Sequence, residues 1–172
     1  RLTGTRELWN LNGNVTADVL DDSNGISLDD WHLEDAILSS VEADSFLGQL
    51  LAASGLNTKQ VLIAVDDFYA YLEDGVTMAD VFWLSYDLGI DYVWHEDEGR
   101  VVLFDENSGR IATLVVGQNV IYVDGEVREI PKGPEEWSGD LYLPVRAVAE
   151  AFGYDVQWDE DFNMVILTKR YF

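Results

Sequence analysis

Cysteine is absent from this chain of 172 residues. A disulfide framework and thiolate chemistry are therefore closed to it. Lysine is scarce, with only Lys59, Lys132 and Lys169, and ten basic residues in all face 33 acidic ones for a formal net charge of −23. A surface this negative repels phosphate backbones and anionic lipid headgroups, so nucleic-acid and membrane-surface partners are disfavoured. The acidity reads first as a solvated surface, and otherwise as a means of holding cations or a basic partner. No apolar run approaches the ~20 residues that a membrane span needs. The chain opens on Arg1-Leu2-Thr3 without Met or an apolar leader, so a trimmed start and no signal peptide are expected. Catalytic signatures are missing as well: there is no G-x-S-x-G elbow, phosphate-cradling loop or Cys nucleophile. Histidine is limited to His32 and His95, in no metal-ligand spacing.

What is present is apolar residues at 48%, a globular proportion, and a repeat. Gly75–Leu103 superimposes on Gly139–Leu167 without a gap, at an offset of 64. Identical are Gly75/Gly139, Val81/Val145, Gly89/Gly153, Asp91/Asp155, Trp94/Trp158, Glu96/Glu160, Asp97/Asp161, Val101/Val165 and Leu103/Leu167. In the later copy Pro144 suits the first turn of a helix, where its missing N–H costs nothing. Val145, Val148 and Phe152 then share one helical face, as do Val81, Leu84 and Leu88 earlier. Gly153 and Gly89 end these helices in left-handed conformation. An alternating segment follows each glycine (Tyr92 and Trp94; Val156 and Trp158), then an acidic turn and a second apolar strand, predicting a β-hairpin.

Upstream, Ile63–Leu72 resembles Ile121–Ile130 at an offset of 58, which puts hairpin turns at Asp66-Asp67 and Asp124-Gly125. Six extra residues then fall between Ile130 and Gly139, in a stretch of loop composition. Residues 110–123 read as one more strand, a turn at Gly117-Gln118-Asn119 and entry into the second unit.

The expected fold class is α+β: two tandem strand-strand-helix-hairpin units, 61–105 and 110–169, packed into one compact domain over 61–172. Residues 1–60 are expected to form a partly helical N-terminal extension. It would hold a hairpin near Asn12-Gly13, a helix over Ser27–Ser40 capped by Ser27, and a helix over Ala43–Ser54.

Several residues carry sharper expectations. Asp18, Asp22 and Asn24 precede Gly25 in an acidic loop, but an EF-hand register places Leu20 and Trp31 at ligand positions, so calcium is a weak candidate. Trp94 and Trp158 are expected in the core. Trp83 is expected to be partly exposed beside its helix's apolar face, and His95 to sit in an exposed turn. Trp137, in the inserted stretch, either folds back as a cap or serves a ligand. Arg146 either pairs with a neighbouring carboxylate or faces a ligand.

The residues Pro144, Arg146, Glu150, Gly153 and Trp158, followed by Met164–Leu167, resemble the repeat core of the copper amine oxidase N-terminal-like ("stalk") domain of bacterial exported and surface proteins. The likeness covers Val61–Lys169. The earlier copy departs from it, with Asp80 at the position of Pro144 and Phe82 at that of Arg146. The resemblance implies a non-catalytic, extracellular or cell-surface module, typical of Gram-positive bacteria, that binds a cell-wall polymer, a glycan or a protein partner. It also leaves open a purely structural stalk. Copper is not implied, since a three-histidine site cannot be built from two histidines. Monomer and dimer both remain open.

Overall fold

The computed structural model describes residues 8–10, 13–15, 33–65 and 69–172. The expected start of the first helix (Ser27), His32, the turn residues Asp66-Asp67 and the calcium candidates Asp18, Asp22 and Asn24 lie outside them. Strands β1 (Leu8–Asn10) and β2 (Gly13–Val15) pair antiparallel, with Asn10 opposite Gly13. Helices α1 (Leu33–Ser40) and α2 (Phe46–Ala53) follow. The Ser45 hydroxyl caps α2 by accepting from the Gly48 N–H at 2.9 Å. α1 is tied to the rest of the molecule by buried Asp35, whose Oδ2 lies 2.6 Å from Lys59 Nζ and whose carboxylate also accepts from the Tyr171 hydroxyl.

The remainder is a mixed helix-and-sheet domain. Its strands are β3 (Thr58–Ala64), β4 (Ala70–Glu73), β5 (Val76–Asp80), β6 (Asp91–His95), β7 (Arg100–Asp105), β8 (Arg110–Val115), β9 (Val120–Val123), β10 (Glu126–Glu129), β11 (Glu135–Trp137), β12 (Asp140–Pro144), β13 (Asp155–Asp159) and β14 (Met164–Arg170). Helix α3 (Val81–Leu88) follows β5 directly and α4 (Val145–Ala151) follows β12. Three antiparallel sheets result, in the orders β10-β9-β8-β7-β6, β11-β12-β5-β4 and β13-β14-β3. The bounds of β5, α3, β6 and β7 recur 64 residues later as those of β12, α4, β13 and β14, to within one residue.

Local chemistry explains these boundaries. Asp74-Gly75, Asp124-Gly125 and Ser138-Gly139 join paired strands, and all six residues have positive φ. That is the two-residue hairpin geometry whose twist matches the flanking strands. Asp80 caps α3 by accepting from the Phe82 and Trp83 N–H groups, and Gly89 ends it at φ 69°. Pro144, expected inside the first turn of α4, is instead the last residue of β12 and lies just before the helix. Having no side-chain acceptor, it leaves that helix start without the cap that Asp80 gives the other.

One apolar core joins the three sheets and both later helices, with Ile63, Leu84, Leu103, Leu143, Val148 and Phe152 buried in it. Two expectations fail against this layout. The strand ending at Ala64 does not form a hairpin with β4: β3 pairs with β14 along its whole length, from Thr58↔Arg170 to Ala64↔Met164. The offset of 58 therefore matches β9–β10, a true hairpin, to two strands in different sheets. The inserted stretch is not all loop either, because Glu135–Trp137 forms β11 and pairs with β12.

Candidate functional site

The four-stranded sheet carries a groove on one face. Tyr71 and Glu73, two apart on β4, share that face, as do Glu135 and Trp137 on β11, at the opposite edge. The turn Val116–Asn119 and the segment Lys132–Pro134 wall the groove, which encloses about 720 Å³. Such a volume lies within the range of ~300–1,000 Å³ typical of small-ligand sites.

The walls are locked to each other. Asn119 Oδ1 accepts from the Gly133 N–H at 2.9 Å, and the Asn119 carbonyl accepts from the Ile130 N–H at 3.0 Å. Gly133 is required there, because a Cβ would stand 2.1 Å from the Gln118 carbonyl oxygen. On the floor, Lys132 pairs with Glu73 and, at 3.0 Å, with Glu135. The Tyr71 hydroxyl donates to Glu135 Oε2 at 2.9 Å, and its ring meets Tyr142 edge-on at 5.3 Å. Burial, and then the bond to Glu135, push the Tyr71 phenol well above its ordinary value. Burial alone would raise Glu135, but the bonds from Lys132 and Tyr71 and the charge of Lys132 outweigh it and hold the carboxyl below its usual range. The floor is thus an ionised carboxylate fixed between a cation and a phenol.

Trp137 stands at the rim with 69% of its surface exposed. It does not fold back as a cap, because β11 and the Ser138-Gly139 turn hold it at a sheet edge. Arg146 lies elsewhere, in a smaller cleft of about 200 Å³ that it lines with Leu72, Thr77 and Trp158. Its Nη1 lies 3.2 Å from Glu150 Oε1 and donates to the Val156 carbonyl at 3.3 Å. Trp158, expected in the core, is 37% exposed there, since β13 is an edge strand and its ring covers the cleft rather than the interior. Trp94 is half-buried against the core. Trp83 belongs to a third place, an exposed aromatic cluster on α3 with ring contacts to Phe82 at 5.2 Å, Tyr69 at 6.2 Å and Tyr86 at 6.4 Å. Trp137, Trp83 and Arg146 therefore do not converge. His95, the last residue of β6, is half-buried.

Tyr71, Glu73, Lys132 and Glu135 escaped the sequence reading. The available signal was Lys132, one of three lysines and the single base in the inserted stretch, beside Glu135 and Glu136.

Comparison with protein families gives a match to the model of the copper amine oxidase N-terminal domain over residues 56–167. The chain belongs to that family. A copper amine oxidase N-terminal domain is a non-catalytic accessory domain. The match begins just ahead of β3 and ends within β14, so it spans both grooves. Neither the curated proteins nor the solved structures give a match. Among the described residues His95 is the only histidine, and no three His, Asp or Glu side chains are grouped to hold an ion.

Proposed function

We propose that this copper amine oxidase N-terminal domain is an exported binding or spacer module of a bacterial surface protein, recognising a cell-wall polymer, a glycan or a protein partner at the Trp137 groove. One observation carries the reading: the groove's floor and walls are already fixed by their own hydrogen bonds, with a large aromatic face left open at the rim. A preformed concave site binds without a cost of ordering itself, and an exposed indole offers a stacking surface for sugar or side chain. The ionised Glu135, clamped by Lys132, suits hydrogen bonding rather than proton transfer.

We also infer that the domain consists of one strand–helix–hairpin unit used twice. The support is the shared element bounds and the pairing of β5 with β12 around Ala79↔Leu143, residues 64 apart.

Co-sedimentation of the chain with Gram-positive sacculi, beside Trp137→Ala, tests the binding reading. Anionic wall polymers repel a chain of charge −23, so retention at low salt that Trp137→Ala abolishes supports it. No retention at any salt favours the structural stalk, which the single continuous core also suits. Calcium dependence, through Asp18, Asp22 and Asn24, is tested by a thermal melt: a site present only in the native state raises the midpoint in millimolar calcium.

A further inference from the structure

The outer edge of β3 is the place to look beyond the groove. β14 pairs with β3 as β7 pairs with β8: Leu167↔Val61 and Val165↔Ile63 match Leu103↔Ala112 and Val101↔Leu114. All eight side chains are buried in the core. By this register Gln60 stands where Ile111 does, and Leu62 where Thr113 does. Beyond β8, however, the sheet continues into β9 and β10, whereas among the described residues no strand follows β3.

The groups left without a partner among the described residues can be named. The Tyr171 N–H donates to the Asn57 carbonyl and the Val65 N–H to that of Asn163, so the odd-numbered residues of β3 bond to β14. In an antiparallel ladder the alternate residues turn their N–H and C=O the other way. Those are Thr58, Gln60, Leu62 and Ala64. Their counterparts on β8 use the same groups on β9, where the Ile111 carbonyl accepts from the Asp124 N–H at 2.9 Å. Other edges are shielded by charge: β10, the rim of the five-stranded sheet, reads Glu-Val-Arg-Glu. β3 reads Thr-Lys-Gln-Val-Leu-Ile-Ala, and its single charge, Lys59, is turned to Asp35. Leu62 is 55% exposed beside that edge. A long edge without such protection is a template for strand addition.

We propose that the free edge of β3 receives an extended, alternating apolar segment of another protein, carrying neutral or positive charge, in the position that β9 fills beside β8. Charge decides against a second copy of this chain, which brings another −23 to an already acidic body. The segment needs no acid of its own, since β3 presents no base on the open side apart from the engaged Lys59.

The test is amide hydrogen exchange by NMR on the full chain, with a synthetic peptide as probe. The peptide carries the β9 sequence Val-Ile-Tyr-Val between paired lysines. The expected result is that exchange at Gln60, Leu62 and Ala64 slows about tenfold or more at saturating peptide, with Val61 and Ile63 slow throughout. A peptide of equal charge, N-methylated at the tyrosine, should leave these rates unchanged. The proposal is overturned if the even-numbered amides are already protected in the free chain, which makes the edge covered by the chain itself. It is equally overturned if millimolar peptide leaves them unprotected, or if the N-methylated peptide acts alike. None of these outcomes depends on Trp137, so the groove and the edge stand or fall separately.

Discussion

Ala79 lies directly opposite Leu143 in the β5–β12 pair, and the two are the same position of the repeated pattern. The flanking pairs obey the same rule: Met78 faces Pro144, and Asp80 faces Tyr142, so a shift of 64 exchanges one pair for the other. Such a self-complementary contact is the signature of a two-fold relation. Because this pair lies in the one core, the two halves should not unfold separately. Urea unfolding followed by Trp fluorescence and by far-ultraviolet dichroism is expected to give coincident single transitions. Leu143→Ala should shift both by about 2–5 kcal/mol. Two resolved transitions, with only one moved by Leu143→Ala, contradict the shared core.

Gly133 controls the groove wall. With a Cβ placed 2.1 Å from the Gln118 carbonyl, Gly133→Ala has to separate the two loops at a cost of about 1–3 kcal/mol. The melting midpoint should fall, and the Tyr71 hydroxyl should lose protection as the groove opens. A variant as stable as the parent means that the loops have room to move.

Two of the exposed tryptophans, Trp137 and Trp158, should differ in what they cost. Trp137→Ala is expected to change stability by no more than about 0.5 kcal/mol, as for a surface residue. Trp158→Ala, which uncovers the Arg146 cleft, should cost about 1–2 kcal/mol. That is less than the ~3–5 kcal/mol of a fully buried ring. Urea midpoints decide; a loss at Trp137 equal to that at Trp158 makes Trp137 a cap after all.

Asp105 sets an acid limit. Its burial favours the neutral form, yet bonds from the Ser108 hydroxyl at 2.7 Å, the charge of Lys169 at 3.6 Å and the backbone N–H groups of Asn107 and Ser108 hold it below its ordinary value. A carboxyl lowered in the folded state stabilises above its unfolded value near 4 and ceases to as pH falls through the folded one. Asp105→Asn is therefore expected to cost about 1–3 kcal/mol at pH 7 and nothing once both forms are protonated. Melts at pH 7 and near pH 2 measure this, and an equal gap at both pH values contradicts it.

Much of the later two thirds was legible because its signals are local. Gly89 and Gly153 mark helix ends through a backbone conformation, and Val81, Leu84 and Leu88 declare a buried face by spacing alone. The placement of β3 was not legible, since its partner β14 lies a hundred residues away and its own hydrophobic pattern suits any sheet. Trp158 misled for a related reason. Alternation tells which residues share a face, but not that β13 ends its sheet and leaves that face half open. The groove stayed hidden because Tyr71, Lys132 and Glu135 meet only once two distant edges of one sheet are assembled.

Tyr71 and Glu135 are 64 residues apart and bonded to each other, and so are Asp105 and Lys169. Two identical polypeptides meeting about a dyad must set every axial residue against its own kind: Asp against Asp, Tyr against Tyr, a carboxylate against a carboxylate. A single continuous polypeptide is released from that rule. Here these two polar axial positions have each become a donor on one side and an acceptor on the other, and one of them a cation facing an anion. Separated halves reassembling as like with like would bring two Asp105 carboxylates together, so these axial contacts are attractive only between one half and the other, unlike half.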